Sequence, residues 1–489
     1  MILPKSPTAP ERFPPQTDSI TTTTVPSFMK TITRIVSVLL AVALPAFSVE
    51  KPNILIYLSD DHSQFDCSLY GDKSIPVPNM EKLAQDGIRL DRCYVASPSC
   101  APSRAVLLTG LMPARSGAED NHSKPKPGTH SLIADLKAAG YETVCFGKVA
   151  HYGHGPDYGF DFVGPERPKN LGAVVDAWLA KRESKKPLCL FVGTHDPHVT
   201  WPAKTTFNGD ALDLPPTFID TPDTREHRAL FAQAVRNLDN LLERLRKISS
   251  ERLGENTLFI HTSDHGSQWP FGKWNLYDYG TRVPFVAAWP GKIKPGTSSD
   301  TMVSWVDLLT TVIDVAGGKA PANIDGKSFL PVLLGEKTTH RDKIFTTHSG
   351  DREMNVYPIR AIYDGEWKLI HNLRPDLAFT NHSDIDRLPR AGRYWTEWVA
   401  AAKTDDRAKA IVKRYHQRPE FELYQVSKDK WELENKIDAP EQKERVAKMK
   451  EELAAWMKDQ GDTGKIFAKP RPLDQPETWQ DVQRKPKKK

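Results

Sequence analysis

Cysteines and long apolar runs are both scarce in this sequence of 489 residues. Only five cysteines are present, and because none forms a Cys-x-x-Cys pair, a structural zinc site is disfavoured. No apolar run is long enough to cross a bilayer comfortably, so neither a membrane-spanning helix nor stable membrane association is expected. The cysteine spacing does not decide whether any disulfide forms.

The chain also has no large excess of one charge sign. Its net charge is +5, and the termini account for that value: residues 1–48 carry four Lys/Arg against two Asp/Glu, and residues 484–489 carry five Lys/Arg. The body between them is mildly acidic and does not suggest the basic face of a nucleic-acid-binding domain. Charged residues at 26% and aromatic residues at 9% are typical of a globular protein and argue against wholesale disorder.

The N-terminal region has the pattern of an export signal. A basic stretch that starts at Met29 precedes an apolar segment, residues 35–44, and Ala46 and Ser48 supply small residues for cleavage. We therefore expect an exported protein (periplasmic, secreted or lumenal) that is cleaved near Ser48. Either Met29 is the true start or residues 1–28 are a disordered extension. A membrane anchor retained at this segment is the alternative to cleavage.

Four apolar runs in the region 49–340 are each followed by polar residues. The runs and the polar residues after them are Asn53–Leu58 before Asp60 and Asp61, Thr143–Phe146 before Lys148, Leu188–Val192 before His195, and Leu258–Ile260 before Asp264 and His265. Such runs are typical of buried parallel strands, and helical stretches at 80–86, 131–139 and 225–247 separate them. The alternation predicts an α/β domain with a large, mainly parallel sheet between helices. Sites of such sheets lie at the carboxyl ends of the strands.

The pattern changes near Arg341. Short runs at 358–362, 367–370 and 421–424 predict a smaller antiparallel sheet, followed by a charged amphipathic helix over about 440–458. Residues 373–416 have no clear period and are interpreted as an insertion near the site or a lid-like loop. We therefore divide the chain into 1–48, the catalytic domain 49–340, a C-terminal subdomain 341–470 and a basic tail 471–489.

The most informative motif is Cys100-Ala101-Pro102-Ser103-Arg104, which continues to Leu108-Thr109-Gly110. Taken alone, a cysteine before a proline is often a buried, inert residue. The whole run resembles the signature C-x-P-S-R-x-x-x-L-T-G of type I sulfatases, members of the alkaline phosphatase superfamily, at every specified position. That resemblance implies that a maturation enzyme oxidises Cys100 to formylglycine, whose hydrated aldehyde is the nucleophile.

Two pairs of polar residues at strand ends are candidate metal ligands. Asp60 and Asp61 could cap the next helix, but adjacent carboxylates are also suited to a hard divalent cation. Beside the sulfatase signature, this pair and the later Asp264 and His265 resemble the sulfatase metal site. The resemblance implies calcium, with the formylglycine derived from Cys100 as a further ligand.

Further site residues follow from the same resemblance. Arg104 would hold the metal and the nucleophile in position. Gly-Lys-Val-Ala-His, residues 147–151, is similar to the family's Gly-Lys-x-His segment with one extra residue. It implies that Lys148 binds a sulfate oxygen and that His151 is a base, the alternative being a surface lysine and a core histidine.

Two later segments complete the candidate set. His-Asp-Pro-His, residues 195–198, resembles the family's H-x-P-H element, so that His198 would be catalytic and His195 would line the substrate pocket. Lys273 begins a stretch similar to K-W-x-L-Y-x-x-G-x-R-x-P and would contact sulfate and the leaving group. Arg360, in the C-terminal strands, is a candidate substrate contact.

Within the family, the His-Asp-Pro-His element and residues 357–373 are most like heparan N-sulfoglucosamine sulfohydrolases, whereas Gly-Lys-Val-Ala-His and Asp-His are iduronate-2-sulfatase-like. The resemblance implies a sulfatase that removes sulfate esters or sulfamates from sulfated, heparan-type saccharides. One alternative is a phosphatase or phosphonate hydrolase of the same superfamily, which normally needs a Thr or Ser nucleophile and two metals. The other is a non-catalytic glycan-binding protein with an unmodified Cys100.

Overall fold

The computed structural model describes residues 15–16 and 50–474. The chain divides into two units, residues 1–50 and 51–489, and the sheets, helices and cavity belong to the second. The expected signal peptide, its cleavage near Ser48 and the basic end at 484–489 lie outside the described residues. Within the described part, no helix combines the length and apolarity that crossing a bilayer requires.

Fourteen strands are present in the described residues. They are β1 (Asn53–Asp60), β2 (Ile88–Leu90), β3 (Cys93–Tyr94), β4 (Glu142–Gly147), β5 (Phe162–Val163), β6 (Leu188–Pro197), β7 (Thr257–Ser263), β8 (Phe285–Ala288), β9 (Thr297–Ser299), β10 (Val303–Ser304), β11 (Ile344–His348), β12 (Ile359–Tyr363), β13 (Trp367–Asn372) and β14 (Phe421–Gln425). All four strands predicted in the catalytic region are confirmed, each longer than its apolar core.

The described residues also contain thirteen α-helices. They are α1 (Pro78–Gln85), α2 (Cys100–Thr109), α3 (Pro113–Ser116), α4 (Leu132–Ala138), α5 (Leu171–Ala180), α6 (Pro222–Leu253), α7 (Asp278–Thr281), α8 (Leu308–Val315), α9 (Leu330–Leu333), α10 (His382–Ile385), α11 (Trp395–Ala401), α12 (Asp406–His416) and α13 (Lys443–Asp459). Short 3-10 turns connect several of them.

The main sheet has eight strands in the order β5-β4-β6-β1-β7-β8-β2-β9. All its pairings are parallel except those of β8 with β7 and β2, which are antiparallel. Alternate residues of β1 point to opposite faces, so Leu55 and Tyr57 join one hydrophobic core while Ile54 and Ile56 join the other. Helix α6 packs in the first core and α8 in the second, which confirms the predicted α/β layers.

A separate four-stranded antiparallel sheet, β11-β12-β13-β14, follows the main sheet along the chain. Helix α13 packs on it through Met449 and Leu453, as the amphipathic pattern predicts. The expected loop at 373–416 instead contains α10, α11 and α12. These helices are short, but they bury Trp395, Trp398 and Tyr415 in the larger core, and this packing compensates for weak periodicity. The subdomain boundary at 340/341 stays a prediction.

Parallel register brings the predicted site residues together. Strand β1 pairs with β6 on one side and β7 on the other, and β6 also pairs with β4. The four strands are parallel, so their carboxyl ends share one edge of the sheet. Asp60, Lys148, His198 and Asp264 lie at or just after those ends.

Candidate active site

Helix α2 places Cys100 at its first turn, facing the carboxyl edge of the sheet. The side chain is almost fully buried, and its Sγ lies 3.7 Å from Asp60 Oδ1 and 3.5 Å from Lys148 Nζ. Arg104 is four residues further along and therefore on the same face of the helix. One helix thus delivers the candidate nucleophile and a cation to the same point.

Three further positions of the signature have structural roles in this helix. Pro102 lies in the first turn, where a missing N–H leaves no hydrogen bond unmade. The Ser103 hydroxyl donates to the backbone carbonyl of Asp264 at 2.6 Å, which ties α2 to the end of β7. Gly110 ends the helix in the left-handed region at φ 67°, where glycine is favoured.

Three buried carboxylates meet beside Cys100. Asp60 ends β1 and Asp61 follows it, and the amide of Asp61 donates to Asp264 Oδ1 at 3.1 Å. The backbone of Asp61 has φ 69°, a conformation that Asp tolerates better than most residues. Ligand atoms of these three carboxylates, Cys100 and His265 all lie within 4.8 Å of one another. The cluster therefore has the donors and the compactness of a metal site.

Three cations compensate these carboxylates. Arg104 Nη2 lies 3.1 Å from Asp60 Oδ1 and 2.9 Å from Asp264 Oδ2, and Lys148 Nζ lies 2.5 Å from Asp60 Oδ2. Lys273 Nζ lies 2.9 Å from both carboxylate oxygens of Asp61. Equal numbers of acids and bases leave the cluster close to neutral.

Burial dominates the electrostatics of the cluster. Burial raises the pKa of Asp61 to about 7, opposed by Lys273 and reinforced by Asp60, and it raises the pKa of Asp264 to about 6. Burial acts on Asp60 too, but Lys148, His198 and Arg104 together hold its pKa well below the usual range. The pKa of the Cys100 thiol is raised by burial, so the unmodified residue is a neutral thiol at pH 7.

His265 is oriented as a ligand. Its Nδ1–H donates to the carbonyl of Gly266 at 3.0 Å, so in the neutral ring the lone pair is on Nε2. That atom lies 3.2 Å from Cys100 Sγ and 3.4 Å from oxygens of Asp61 and Asp264. Burial, aided by Lys273, keeps the pKa of His265 well below its ordinary value, which maintains the neutral form that binds metals.

A small cavity of about 160 Å³ opens onto this cluster. Its walls come from the first helix turn, the loops after the strands and the C-terminal region. The lining residues are Cys100, Asn121, His122, His151, Tyr152, His198, Val199, Gln268, Lys273, Trp274, Asp351 and His382.

The sequence that forms this site matches known proteins. Residues 52–318, more than half of the chain, match the family model described as Sulfatase. This chain belongs to the sulfatase family. Residues 265–386 also match the model for the C-terminal region of N-sulphoglucosamine sulphohydrolase, which confirms the resemblance stated from the motifs. As a member of this family, the protein is a sulfuric ester hydrolase.

Two characterised relatives cover most of this sulfatase. An ulvan-active sulfatase of Formosa agariphila is 31% identical over 436 residues, which is 84% of this chain and 81% of that protein. Homo sapiens N-sulphoglucosamine sulphohydrolase is 28% identical over 458 residues, which is 83% of this chain and 89% of that protein.

Solved structures share the fold at lower identity. A 2-O GAG sulfatase aligns with a TM-score of 0.67 at 22% identity, covering 86% of this chain and 95% of that one. A phosphonate monoester hydrolase from Silicibacter pomeroyi aligns with a TM-score of 0.64 at 18% identity, covering 85% and 96%. The fold therefore serves more than one reaction, and the chemistry must be argued from the site.

The structure brings most sequence-predicted residues of this sulfatase to the cavity or directly behind it, but not all. His195 lies outside the lining set, with its ring 6.4 Å from that of Tyr152, which does line the cavity. Arg360 is fully buried in β12, where its guanidinium is bound by Asp462 and donates to the carbonyl of His348. Arg360 does not line the cavity, because its guanidinium is fully used in contacts within the C-terminal region. The prediction that it contacts substrate is therefore not supported by its position.

Sequence reasoning missed several cavity residues. Asn121, His122, Gln268, Asp351 and His382 were not singled out, because none follows an apolar strand or belongs to a motif. One signal pointed in their direction: the aperiodic stretch 373–416 was expected near the site, and its helix α10 supplies His382.

Breaking the buried arginine network should separate structure from activity. Arg104→Met would leave Asp60 and Asp264 without their bridging cation, so we expect the free energy of unfolding to fall by about 3–5 kcal/mol and activity to be lost. Arg228→Met is the matched control, because Arg228 is equally buried and also bridges two carboxylates, Asp66 and Asp72, outside the cavity. Denaturant unfolding and turnover per folded molecule measure both effects.

The control should lose comparable stability while keeping turnover per folded molecule. Equal loss of turnover in both variants would show that Arg104 acts only through the fold.

Proposed function

We propose that this sulfatase hydrolyses sulfate esters or sulfamates of glycans, using a formylglycine made from Cys100 and a bound calcium ion. The observation that carries the proposal is the first turn of α2. There a cysteine in the complete sulfatase signature faces three buried carboxylates and two lysines at the base of a small cavity. The lysines beside this turn can stabilise the negative charge on sulfate oxygens when a nucleophile at position 100 attacks sulfur.

The donor set fits a hard divalent cation. Three carboxylates supply oxygen ligands, and the neutral His265 Nε2 faces the same point. Since Arg104, Lys148 and Lys273 already balance the carboxylates, a divalent ion would give the cluster an excess of positive charge. That excess would be matched by the charge of a sulfate group in the cavity.

Bound calcium would compensate charge on the sulfate oxygens, and formylglycine would supply the hydroxyl of an aldehyde hydrate as nucleophile. Lys148 and Lys273 would hold sulfate oxygens, with Arg104 fixing Asp60 and Asp264. Lys273 Nζ and His198 Nε2 both approach Asp61, at 2.9 and 3.9 Å. They are the groups from which a departing alcohol or amine can take its proton.

The phosphatase alternative is less well supported. It calls for a Thr or Ser nucleophile, whereas position 100 is Cys, and it calls for ligands for two metals. Among the described residues around the cavity there is one compact cluster of potential metal ligands, whereas two metals would need more. The non-catalytic alternative depends only on whether Cys100 is converted.

For the substrate, we propose exo-acting removal of sulfate from saccharide ends, with N-sulfoglucosamine preferred. Support comes from the match of residues 265–386 to the N-sulphoglucosamine sulphohydrolase C-terminal model and from the small cavity, which has room for little more than a terminal sulfated group. Ulvan fragments are the competing substrate, because the ulvan-active relative has the higher identity, 31% against 28%.

Turnover of defined saccharides tests this preference. We expect kcat/KM for heparan fragments ending in N-sulfoglucosamine to exceed that for 2-O- or 6-O-sulfated ends by at least about 100-fold, because a site built to hydrogen-bond one group rejects others. Preference for a 2-O-sulfated uronate end would favour an iduronate-2-sulfatase-like activity. Preference for ulvan fragments would favour an ulvan-active sulfatase. Inertness of the converted enzyme toward every sulfated saccharide would overturn the glycan assignment.

A further inference from the structure

A chain of side-chain contacts starts at His151, passes through a hydrogen bond to His122 and ends at the carboxylate of Asp351 along the cavity wall. His151 Nε2 lies 2.7 Å from His122 Nδ1, with the two ring centroids 4.6 Å apart. His122 Nε2 in turn lies 3.4 Å from Asp351 Oδ1. All three residues line the cavity that Cys100 faces, and neither His122 nor Asp351 belongs to a sulfatase motif identified above.

The chain has a defined direction. A carboxylate only accepts hydrogen bonds, so the proton of a neutral His122 is on Nε2, where it faces Asp351. His122 Nδ1 then carries a lone pair and can only accept, which places the proton of His151 on Nε2. Nδ1 of His151 is left with the lone pair, and this buried atom has no hydrogen-bond partner among the described residues.

Asp351 is itself held rigidly. Its Oδ2 accepts from Asn121 Nδ2 at 2.8 Å and from Trp274 Nε1 at 3.0 Å, and His382 Nε2 lies 3.4 Å away. Asn121 also accepts from the backbone N–H of Ala101, in the first turn of α2. The carboxylate therefore connects the His122 chain to the helix turn that carries Cys100.

His151 needs help to hold a proton. Burial, followed by Lys148, His122 and Arg104, keeps its pKa well below the ordinary value. When His122 is neutral, its Nδ1 accepts the Nε2–H of a protonated His151, and its own Nε2–H faces Asp351. The positive charge of His151 is then spread away from Lys148. The same logic operates where a carboxylate orients a catalytic histidine.

We propose that His122, backed by Asp351, is a positioning residue that fixes His151 in the tautomer whose Nδ1 carries the lone pair and can accept a proton. The proton taken from a reacting hydroxyl binds Nδ1, the Nε2 proton stays hydrogen-bonded to His122, and water later removes the proton from Nδ1. The assignment of His151 as a base rests on the proposed function, whereas its tautomer does not.

The tautomer can be measured on the full chain with Cys100 left unconverted. Histidine-selective ¹⁵N NMR, assigned with His151→Gln and His122→Gln, should show the His151 ring protonated on Nε2 and not on Nδ1. A His151 ring protonated on Nδ1 would overturn the proposal, whatever the activity of the converted enzyme. This readout uses no substrate, so its failure is distinct from failure of the proposed sulfatase mechanism.

Kinetics of the converted enzyme test the consequence. His122→Leu removes the acceptor, and we expect kcat to fall by about 100-fold with KM changed by less than about 3-fold. His122→Asn keeps an acceptor near the position of Nδ1 and should recover most of the lost kcat. Asp351→Asn should lower kcat as His122→Leu does, because it removes the charge that compensates the protonated pair.

The matched control is His154→Leu. The ring centroid of His154 also lies near that of His151, at 5.6 Å, but His154 is not part of the chain from His151 through His122 to Asp351. This variant should keep the activity of the unmodified sequence. Equal kcat in His122→Leu and His122→Asn, or a rise in KM with kcat unchanged, would contradict a positioning role and indicate substrate binding instead. If His122→Leu does not fold, the tautomer of the unmodified sequence still decides the question.

Discussion

Replacing Cys100 by Ser should leave a folded protein with turnover reduced by on the order of 10⁴-fold or more in a host that has only a cysteine-type maturation enzyme. Ser fits the space of Cys at the first turn of α2, so the fold should be kept. The hydroxyl of Ser cannot become an aldehyde there, and a sulfate ester on Ser would need water to attack a hindered, charged sulfur. Turnover of a sulfated saccharide and a thermal melt measure the two effects.

Two comparisons make the Cys100 result specific. Cys145→Ala removes a buried thiol of β4 that does not line the cavity, and it should keep turnover per folded molecule. Cys100→Ala removes any possible nucleophile at position 100. Retention of the original turnover by Cys100→Ala would rule out the mechanism.

Removing the metal should have a comparably large effect. Exhaustive chelation should abolish turnover, because without a cation the sulfate oxygens would face Asp60, Asp61 and Asp264 with only the existing lysines to compensate them. It should also lower the melting temperature, since an ion that binds only the folded state stabilises it. Calcium should restore both properties.

Elemental analysis sharpens that test. We expect about one calcium ion per chain, as befits one oxygen-rich cluster. Two zinc ions per chain would contradict the proposed site and support the phosphatase alternative. Full turnover after chelation would also contradict the proposed site.

Much of the fold could be predicted from the sequence because the central strands of the main sheet are buried on both faces. Asn53–Leu58 is nearly all apolar for that reason, and the parallel register then places the residues after it at the functional edge. The signature around Cys100 could be interpreted in the same way, since Ser103 and Arg104 contact Asp264 and Gly110 ends the helix at positive φ.

The C-terminal contribution to the cavity could not be predicted in detail. Asp351 and His382 reach the cavity through tertiary packing of irregular segments, and local sequence carries little signal for such packing. Arg360 was interpreted as a substrate contact because an arginine on a strand near a polyanion site suggests one. Its actual partner, Asp462, lies about a hundred residues further along the chain, beyond the reach of pattern reasoning.

The same limitation explains the aromatic helices of 373–416. These helices are only 4, 7 and 11 residues long, too short for a clear helical period, yet Trp395 and Trp398 bury large surfaces once the core exists. A pattern-based reading underestimates helices that large aromatic side chains stabilise.

The most direct test of the account is the mass of the peptide that contains residue 100, measured on the protein purified from its native host. We expect that most of the peptide carries an aldehyde or its hydrate in place of the thiol, and that a carbonyl-specific reagent shifts its mass. A peptide that retains the intact thiol, in protein that nevertheless hydrolyses sulfated saccharides at full rate, would contradict the account.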